Sequence, residues 1–247
     1  MIKKLIELLE NSTMSVVFSG AGVSTLSGIR DFRGEGGFYT SDYKGYQVEE
    51  LLSMDLFLQD PSLFYNWAKE FVYVLDNFTP SIVHTTLAKL EDKGLIEGVY
   101  TQNIDLLHQK AGSKNVVEIH GSPATSYCIE CNTKSNYSLD APYVAKGEVP
   151  KCKKCGGVIK PDIIFYGEQL VPQVLESTFD KMGQADLVLA LGSSLTVQPA
   201  ASMPLATIQN GGSLVIVNNQ KTPLDSYATV VLRDLESTFN SLNDYFN

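Results

Sequence analysis

The stretch TQNIDLLHQKAGSKNVVEIHG, residues 101–121, follows an apolar run, Leu95 to Tyr100, that reads as a β-strand. Gln102, Asn103 and Asp105 therefore fall at that strand's carboxyl end, where open α/β sheets bind their ligands. Two amides and one carboxylate suit the hydroxyls of a sugar. A second β-rich run, Asn115 to Ile119, delivers His120 and Gly121 at its own end, so an imidazole that titrates near neutrality shares one crevice with the amides. The same spacing also fits a plainer reading. Asn and Asp commonly start helices, so these residues can cap a helix over Ile104 to Lys110, with His120 merely ending a strand.

Working outward, Ile2, Leu5, Ile6, Leu8 and Leu9 form the apolar stripe of a first helix, and Met14 to Ser19 reads as the first strand. Gly20-Ala21-Gly22-Val23-Ser24-Thr25 follows as a small-residue turn whose backbone amides suit a pyrophosphate. Thr25 stands where GxGxxG has its third glycine, and no acidic residue closes a second strand, so a tight turn without ligand fits as well. Downstream come a strand over Asp162 to Phe165, a helix over Pro172 to Met182 and a strand over Asp186 to Leu191 followed by Gly192-Ser193-Ser194. A strand from Ser213 to Val217 ends in Asn218-Asn219, Thr229 to Leu232 forms another, and a last helix starts at Asp234. Four strands thus end in polar or glycine-rich turns, at Gly20, Gln102, Gly192 and Asn218. One dinucleotide along the carboxyl edge of a Rossmann-like, doubly wound parallel sheet accounts for all four. The expected α/β fold divides into a discontinuous nucleotide-binding domain, 1–33, 78–122 and 160–247, and a small helical and zinc-ribbon domain, 34–77 and 123–159.

Between the first turn and the next helix, residues 27–46 are rich in Gly and Tyr and lack periodicity, as expected of a lid. There Phe32 would cover a flat ring and Arg33 face phosphates; an ordinary solvated loop with an Asp31 ion pair is the alternative. Val48 to Phe78 reads as helical, with Leu51, Leu52, Phe57, Phe64, Trp67 and Phe71 as core. Pro80 and Gly94 bracket another helix, in which His84 packs or caps; His108 reads the same way. Cys128-x-x-Cys131 and Cys152-x-x-Cys155 form two knuckles that close a tetrahedron around zinc, although a rubredoxin-like iron uses similar spacing. With no further ligand nearby, the metal is structural and holds a polar ribbon too small for its own core.

Of the 247 residues 44% are apolar, and the net charge of −9 argues against nucleic acid and for Lys-rich peptides. MIKKLIELLE at residues 1–10 is an amphipathic helix rather than a signal peptide, and no apolar run reaches the roughly 20 residues of a membrane span. These features point to the cytoplasm, where paired thiols bind metal rather than oxidise.

GAGVSTLSGIRDFRG, TQNIDLLHQKAG, EIHG, the CxxC pairs, KPDIIFYGE, GSSLTVQPA and a late strand ending in Asn resemble, in order and spacing, the motifs of sirtuins, the NAD-dependent protein lysine deacylases. The resemblance runs from Leu5 to about Phe239. It implies that Gly20, Ala21, Gly22, Thr25, Phe32 and Arg33 line the NAD loop, Phe32 shielding the reacting ribose carbon. Gln102 and Asn103 would hold the nicotinamide ribose, Ile104 and Asp105 the carboxamide, and Gly192, Ser193, Ser194, Asn218, Asn219 and Leu235 the phosphates and adenosine. In the mechanism so implied, the acetyl oxygen of the substrate lysine attacks the anomeric carbon as nicotinamide leaves, with Asn103 and His120 catalytic and His120 the base. The products would be free lysine, nicotinamide and O-acetyl-ADP-ribose.

By the same resemblance an acetylated peptide lies between Tyr166-Gly167-Glu168 and the loop around Val197, NAD is a consumed co-substrate, one zinc is structural, and the protein is a monomer without nucleic-acid or membrane partners. Relatives that remove acidic acyl groups carry Tyr-x-x-Arg; here Tyr65 and Ala68 stand in those places, which implies acetyl or another uncharged acyl group. Arg30 replaces the family's usual proline and so frees a backbone N–H and one dihedral. Two other readings use the same residues: a mono-ADP-ribosyltransferase and a non-catalytic, zinc-stabilised NAD sensor.

Overall fold

A computed structural model describes residues 1–31, 37 and 42–247. Phe32 and Arg33 lie outside the described residues, as does much of the expected lid. Among the described residues the strands are β1 (Ser15–Ser19), β2 (Gly98–Thr101), β3 (Val116–Glu118), β4 (Gly121–Cys128), β5 (Lys134–Asn136), β6 (Ile159–Ile163), β7 (Leu187–Leu191), β8 (Ser213–Val217) and β9 (Val230–Leu232). The helices are α1 (Ile2–Asn11), α2 (Gly22–Thr25), α3 (Val48–Leu51), α4 (Met54–Gln59), α5 (Pro61–Phe71), α6 (Ile82–Asp92), α7 (Leu107–Lys110), α8 (Tyr137–Ala145), α9 (Pro172–Gln184), α10 (Met203–Gln209) and α11 (Leu235–Tyr245).

Six strands form a parallel sheet in the order β3-β2-β1-β7-β8-β9. Strands such as SVVFS and LVLAL are buried at every position, as a sheet covered on both faces requires. Alternate residues point to opposite faces. Val17, Leu189 and Val215 meet Leu5, Leu9, Val83, Leu87 and Phe239 of α1, α6 and α11, while Val16, Phe18, Val188 and Ile216 meet Met182 and Met203 of α9 and α10. Each such aliphatic side chain stabilises the fold by about 1.5–3 kcal/mol. Strand order reverses between β1 and β7, which opens a crevice at their carboxyl ends.

The remaining strands form an antiparallel sheet, β5-β4-β6, beside a helical cluster in which Phe57, Phe64, Trp67, Val144, Ile163 and Phe165 pack together. Several local expectations change here. The strand expected over Asp162–Phe165 in the α/β rhythm is β6, which starts earlier and pairs antiparallel with β4. Gly121, at φ +72, turns the chain from His120 directly into β4, and an added Cβ there would sit 2.0 Å from the Asp162 carbonyl oxygen. The helix expected from Ile104 shrinks to α7, because Leu106 adopts φ +63 and Asp105 Oδ1 accepts the Leu107 N–H at 2.9 Å. The helical run from Val48 breaks where Ser53 and Asp60 cap new helices, Asp60 directly before Pro61. The polar ribbon also carries a helix of its own, α8, whose first turn Asn136 caps.

Candidate active site

A cavity of about 1180 Å³ separates the carboxyl edge of the parallel sheet from the small antiparallel sheet and its helices. Gly20, Ala21, Gly22 and Thr25 line it after β1, Gln102, Asn103, Ile104 and Asp105 after β2, and His120 after β3. Gly192, Ser193 and Ser194 follow β7, Asn218 and Asn219 follow β8, and Leu235 opens α11. Tyr166, Gly167, Glu168 and Val197 close the opposite side. All the described residues singled out for nucleotide and peptide thus face one space.

The turns after β1 and β7 touch main chain to main chain. Gly22 donates its N–H to Gly192 O at 2.8 Å, and Gly192, at φ +58, has no room for a Cβ, which would lie 2.5 Å from Val23 N. Gln102 Nε2 reaches Ser193 Oγ at 3.3 Å and ties the β2 turn to the same corner.

Behind the corner runs a buried polar chain. Ser19 Oγ donates to Thr101 Oγ1 at 2.8 Å, and Thr101 Oγ1 accepts the Asn103 N–H at 3.0 Å. Asn103 Nδ2 donates to Gly20 O and Ser24 Oγ, both at 3.1 Å, which fixes the amide and turns its oxygen away from these partners. Ser24 Oγ then donates to Asp105 Oδ2 at 2.5 Å. Burial raises the Asp105 carboxyl above its ordinary value, against the hydrogen bonds from Ser24 and Leu107.

His120 Nδ1 lies 3.1 Å from Gln102 O. A carbonyl only accepts, so Nδ1 carries the proton and Nε2 keeps its lone pair. Burial lowers the imidazole below its usual value, and the Gln102 carbonyl opposes this. The ring is therefore neutral at pH 7 and able to take a proton. His84 accepts the Ser81 N–H through Nδ1 at 3.1 Å and caps its helix. His108 Nε2 lies 2.9 Å from Ser19 Oγ, and the rings of His84 and His108 are 4.7 Å apart. Burial pushes these two histidines down to about 4 and about 3.

The four cysteine sulfurs lie within 4.8 Å of one another, with three of the pairs at 3.4–3.7 Å. Sulfurs about 2.3 Å from a tetrahedral zinc stand about 3.8 Å apart, so the cluster fits that ion.

Three groups were not legible as site residues. Ser19, Ser24 and Thr101 are small hydroxyls at strand ends, a weak signal without neighbours. Leu52, Trp67 and Phe71 read as core and are core, yet each also lines the cavity. Lys160, in β6, is wholly buried beside Glu168.

A family model described as the Sir2 family matches residues 20–199. The chain is 44% identical over 229 residues to an NAD-dependent protein deacetylase of Thermotoga maritima, covering 93% of this chain and 91% of that one. It is 41% identical to a protein of the same name from Clostridium perfringens, covering 94% of each. A solved structure of Sir2 with a p53 peptide and NAD+ superposes with a TM-score of 0.90 at 40% identity, covering 99% of this chain and 98% of that one. A Sir2 variant with deacetylated p53 peptide and 3'-O-acetyl ADP ribose gives 0.92 at 41%, with the same coverage. Motifs, fold and identity over nine-tenths of the length agree, and the chain belongs to the Sir2 family.

Proposed function

We propose that this chain is an NAD-dependent protein lysine deacetylase that moves the acetyl group of an acetyl-lysine side chain to ADP-ribose, releasing nicotinamide and O-acetyl-ADP-ribose. The observation that carries the reading is His120. Its tautomer leaves a basic Nε2 in the same cavity as the fixed Asn103 amide and the buried Asp105 carboxyl.

The cavity suits a dinucleotide together with an extended peptide, since its volume exceeds the roughly 300–1,000 Å³ of ordinary small-molecule sites. NAD, when bound, supplies an anomeric carbon that becomes electrophilic as nicotinamide leaves. The amides of the Gly20–Thr25 turn, with Gly192, Ser193 and Ser194, hold its phosphates; Asn218, Asn219 and Leu235 hold adenosine. Arg233 braces that end by donating to Gln220 O at 2.8 Å and Asn218 O at 3.3 Å. Gln102 and Asn103 fix the nicotinamide ribose, and Ile104 and Asp105 the carboxamide. His120 Nε2 would take the proton that the ribose hydroxyls release, and the overall reaction consumes one water, which frees the lysine amine.

The substrate peptide lies as an added strand against the main chain of Tyr166-Gly167-Glu168 and Val197, which favours many sequences equally. The acyl group meets Leu52, Trp67, Phe71 and Val72. Tyr65 is turned away, donating its hydroxyl to Ile159 O at 2.6 Å, and Ala68 is buried. Neither Tyr65 nor Ala68 offers a cation, so an acidic acyl group beside them would be desolvated without a charge partner, and acetyl is favoured.

One structural zinc sits on Cys128, Cys131, Cys152 and Cys155. The nucleotide-binding domain comprises 1–33, 78–122 and 160–247 and the small domain 34–77 and 123–159, with β6 bridging them. The protein works as a cytoplasmic monomer without nucleic acid; no helix among the described residues is long and apolar enough to cross a membrane. Chromatography of an acetyl-lysine peptide incubated with NAD tests the reading. Equal yields of free peptide, nicotinamide and O-acetyl-ADP-ribose, lost in His120→Ala, are expected. ADP-ribose attached to protein would instead identify a transferase, and NAD binding without turnover a sensor.

A further inference from the structure

Lys160 is the most deeply buried cation among the described residues, 1% exposed, and it stands within the segment that leads from the antiparallel sheet to the peptide side of the cavity. Its Nζ lies 2.9 Å from Glu168 Oε2 and donates to Ile163 O at 2.8 Å and Pro161 O at 3.3 Å. The Phe165 ring centroid is 4.1 Å away and the Tyr127 centroid 5.6 Å. Three acceptors match the three donors of an ammonium. Glu168 Oε2 in turn accepts the Phe165 N–H at 2.7 Å, so the pair grips residues 161, 163, 165 and 168 at once.

The gripped segment has two outward duties. Ile164 donates its N–H to His120 O at 2.8 Å, which ties it to the main chain of the base. Tyr166 exchanges main-chain hydrogen bonds with Leu52 and Met54, at 2.7 and 3.0 Å, while Gly167 makes no main-chain bond among the described residues. Burial pulls the Lys160 ammonium below its ordinary value and the Glu168 carboxylate opposes this. An apolar pair of similar volume would hold a core equally well. It would not hold the main-chain carbonyls of Pro161 and Ile163 and the N–H of Phe165.

We propose that Lys160 and Glu168 form a buried positioning pair that presets the peptide-binding segment 163–168, and through Ile164 the His120 main chain, without either side chain touching substrate. The proposal rests on the deacetylase reading above. Glu168 thereby serves the peptide through its main chain, its carboxylate being turned inward.

The test compares Lys160→Met, Glu168→Gln and the double variant in steady-state deacetylation of an acetyl-lysine peptide, with NAD affinity measured separately by equilibrium titration. Zinc content and near-UV circular dichroism identify folded protein. Each single variant is expected to raise the peptide KM at least tenfold while NAD affinity changes less than twofold. The double variant should be no worse than the poorer single, because the two residues act as a unit. Peptide KM within twofold of wild type in folded variants, or equal losses for peptide and NAD, would overturn the proposal. If Lys160→Met fails to fold, Glu168→Gln, which keeps an acceptor for Phe165 N–H, decides alone by the same KM criterion. Wild-type protein that binds NAD but removes no acetyl group would sink the deacetylase reading instead, and peptide affinity measured by fluorescence anisotropy would then replace KM, with the same tenfold threshold.

Discussion

Replacing Gly192 by alanine tests whether the contact between the β1 and β7 turns builds the nucleotide corner. At φ +58 an alanine pays roughly 1–2 kcal/mol for the left-handed backbone. Its Cβ would also lie 2.5 Å from Val23 N, 2.7 Å from Gly22 C and 2.9 Å from Gly22 Cα. These are main-chain atoms that cannot rotate aside, so overpacking adds about 1–3 kcal/mol. The total of about 2–5 kcal/mol corresponds to a melting temperature lower by roughly 4–20 °C for a chain of this size. Because the turns must part to admit the methyl group, NAD affinity should fall at least tenfold. Gly211→Ala is the control: it has φ +87 but nothing within 4 Å of the new Cβ, so it carries only the backbone cost. Scanning calorimetry and NAD titration of both variants provide the assay. Equal melting temperatures for the two variants, with unchanged NAD affinity in Gly192→Ala, would refute the argument from close approach.

Turnover needs neutral His120, whose value burial lowers, so the acid limb of kcat against pH should fall below the usual histidine range near 6.5; a limb above 7 would contradict this. His84 and His108 shift from about 6.5 when unfolded to about 4 and about 3 when folded, so the unfolded state takes up protons that the folded state excludes. Stability is then full above about pH 6.5 and falls as pH drops towards 4, by roughly 2 kcal/mol per histidine between pH 7 and 5. Urea unfolding at both pH values checks it, and a His108→Asn variant with the same pH slope as wild type would count against it. Chelation of the metal held by the four cysteines should release one zinc per chain and melt β4, β5 and β6 before the parallel sheet; an unchanged melt would argue against a structural ion. Acetylated peptide should be turned over faster than its succinylated counterpart, since neither Tyr65 nor Ala68 offers a cation; the reverse order would show that another residue pairs the carboxylate.

The parallel sheet was legible in the sequence because its strands are short continuous apolar runs, a pattern that burial on both faces imposes locally. The four strand ends that line the cavity, at Gly20, Gln102, Gly192 and Asn218, could be read for the same reason: each follows its strand directly. The cysteine pairs carry their own geometry in their spacing. Tertiary structure alone decided what depends on distant partners. Asp105 takes the Leu107 N–H on one carboxylate oxygen and the hydroxyl of Ser24, 81 residues upstream, on the other, a pairing that spacing does not record. β6 joins the antiparallel sheet because Gly121 steers β4 against it. Trp67 and Phe71 look like core in any helical pattern, and which of their faces borders the cavity is set by how the helices dock. His84 meets His108, and Lys160 meets Glu168, by folding rather than by spacing. Periodicity records which side of an element is dry; it does not record which buried polar groups find one another there.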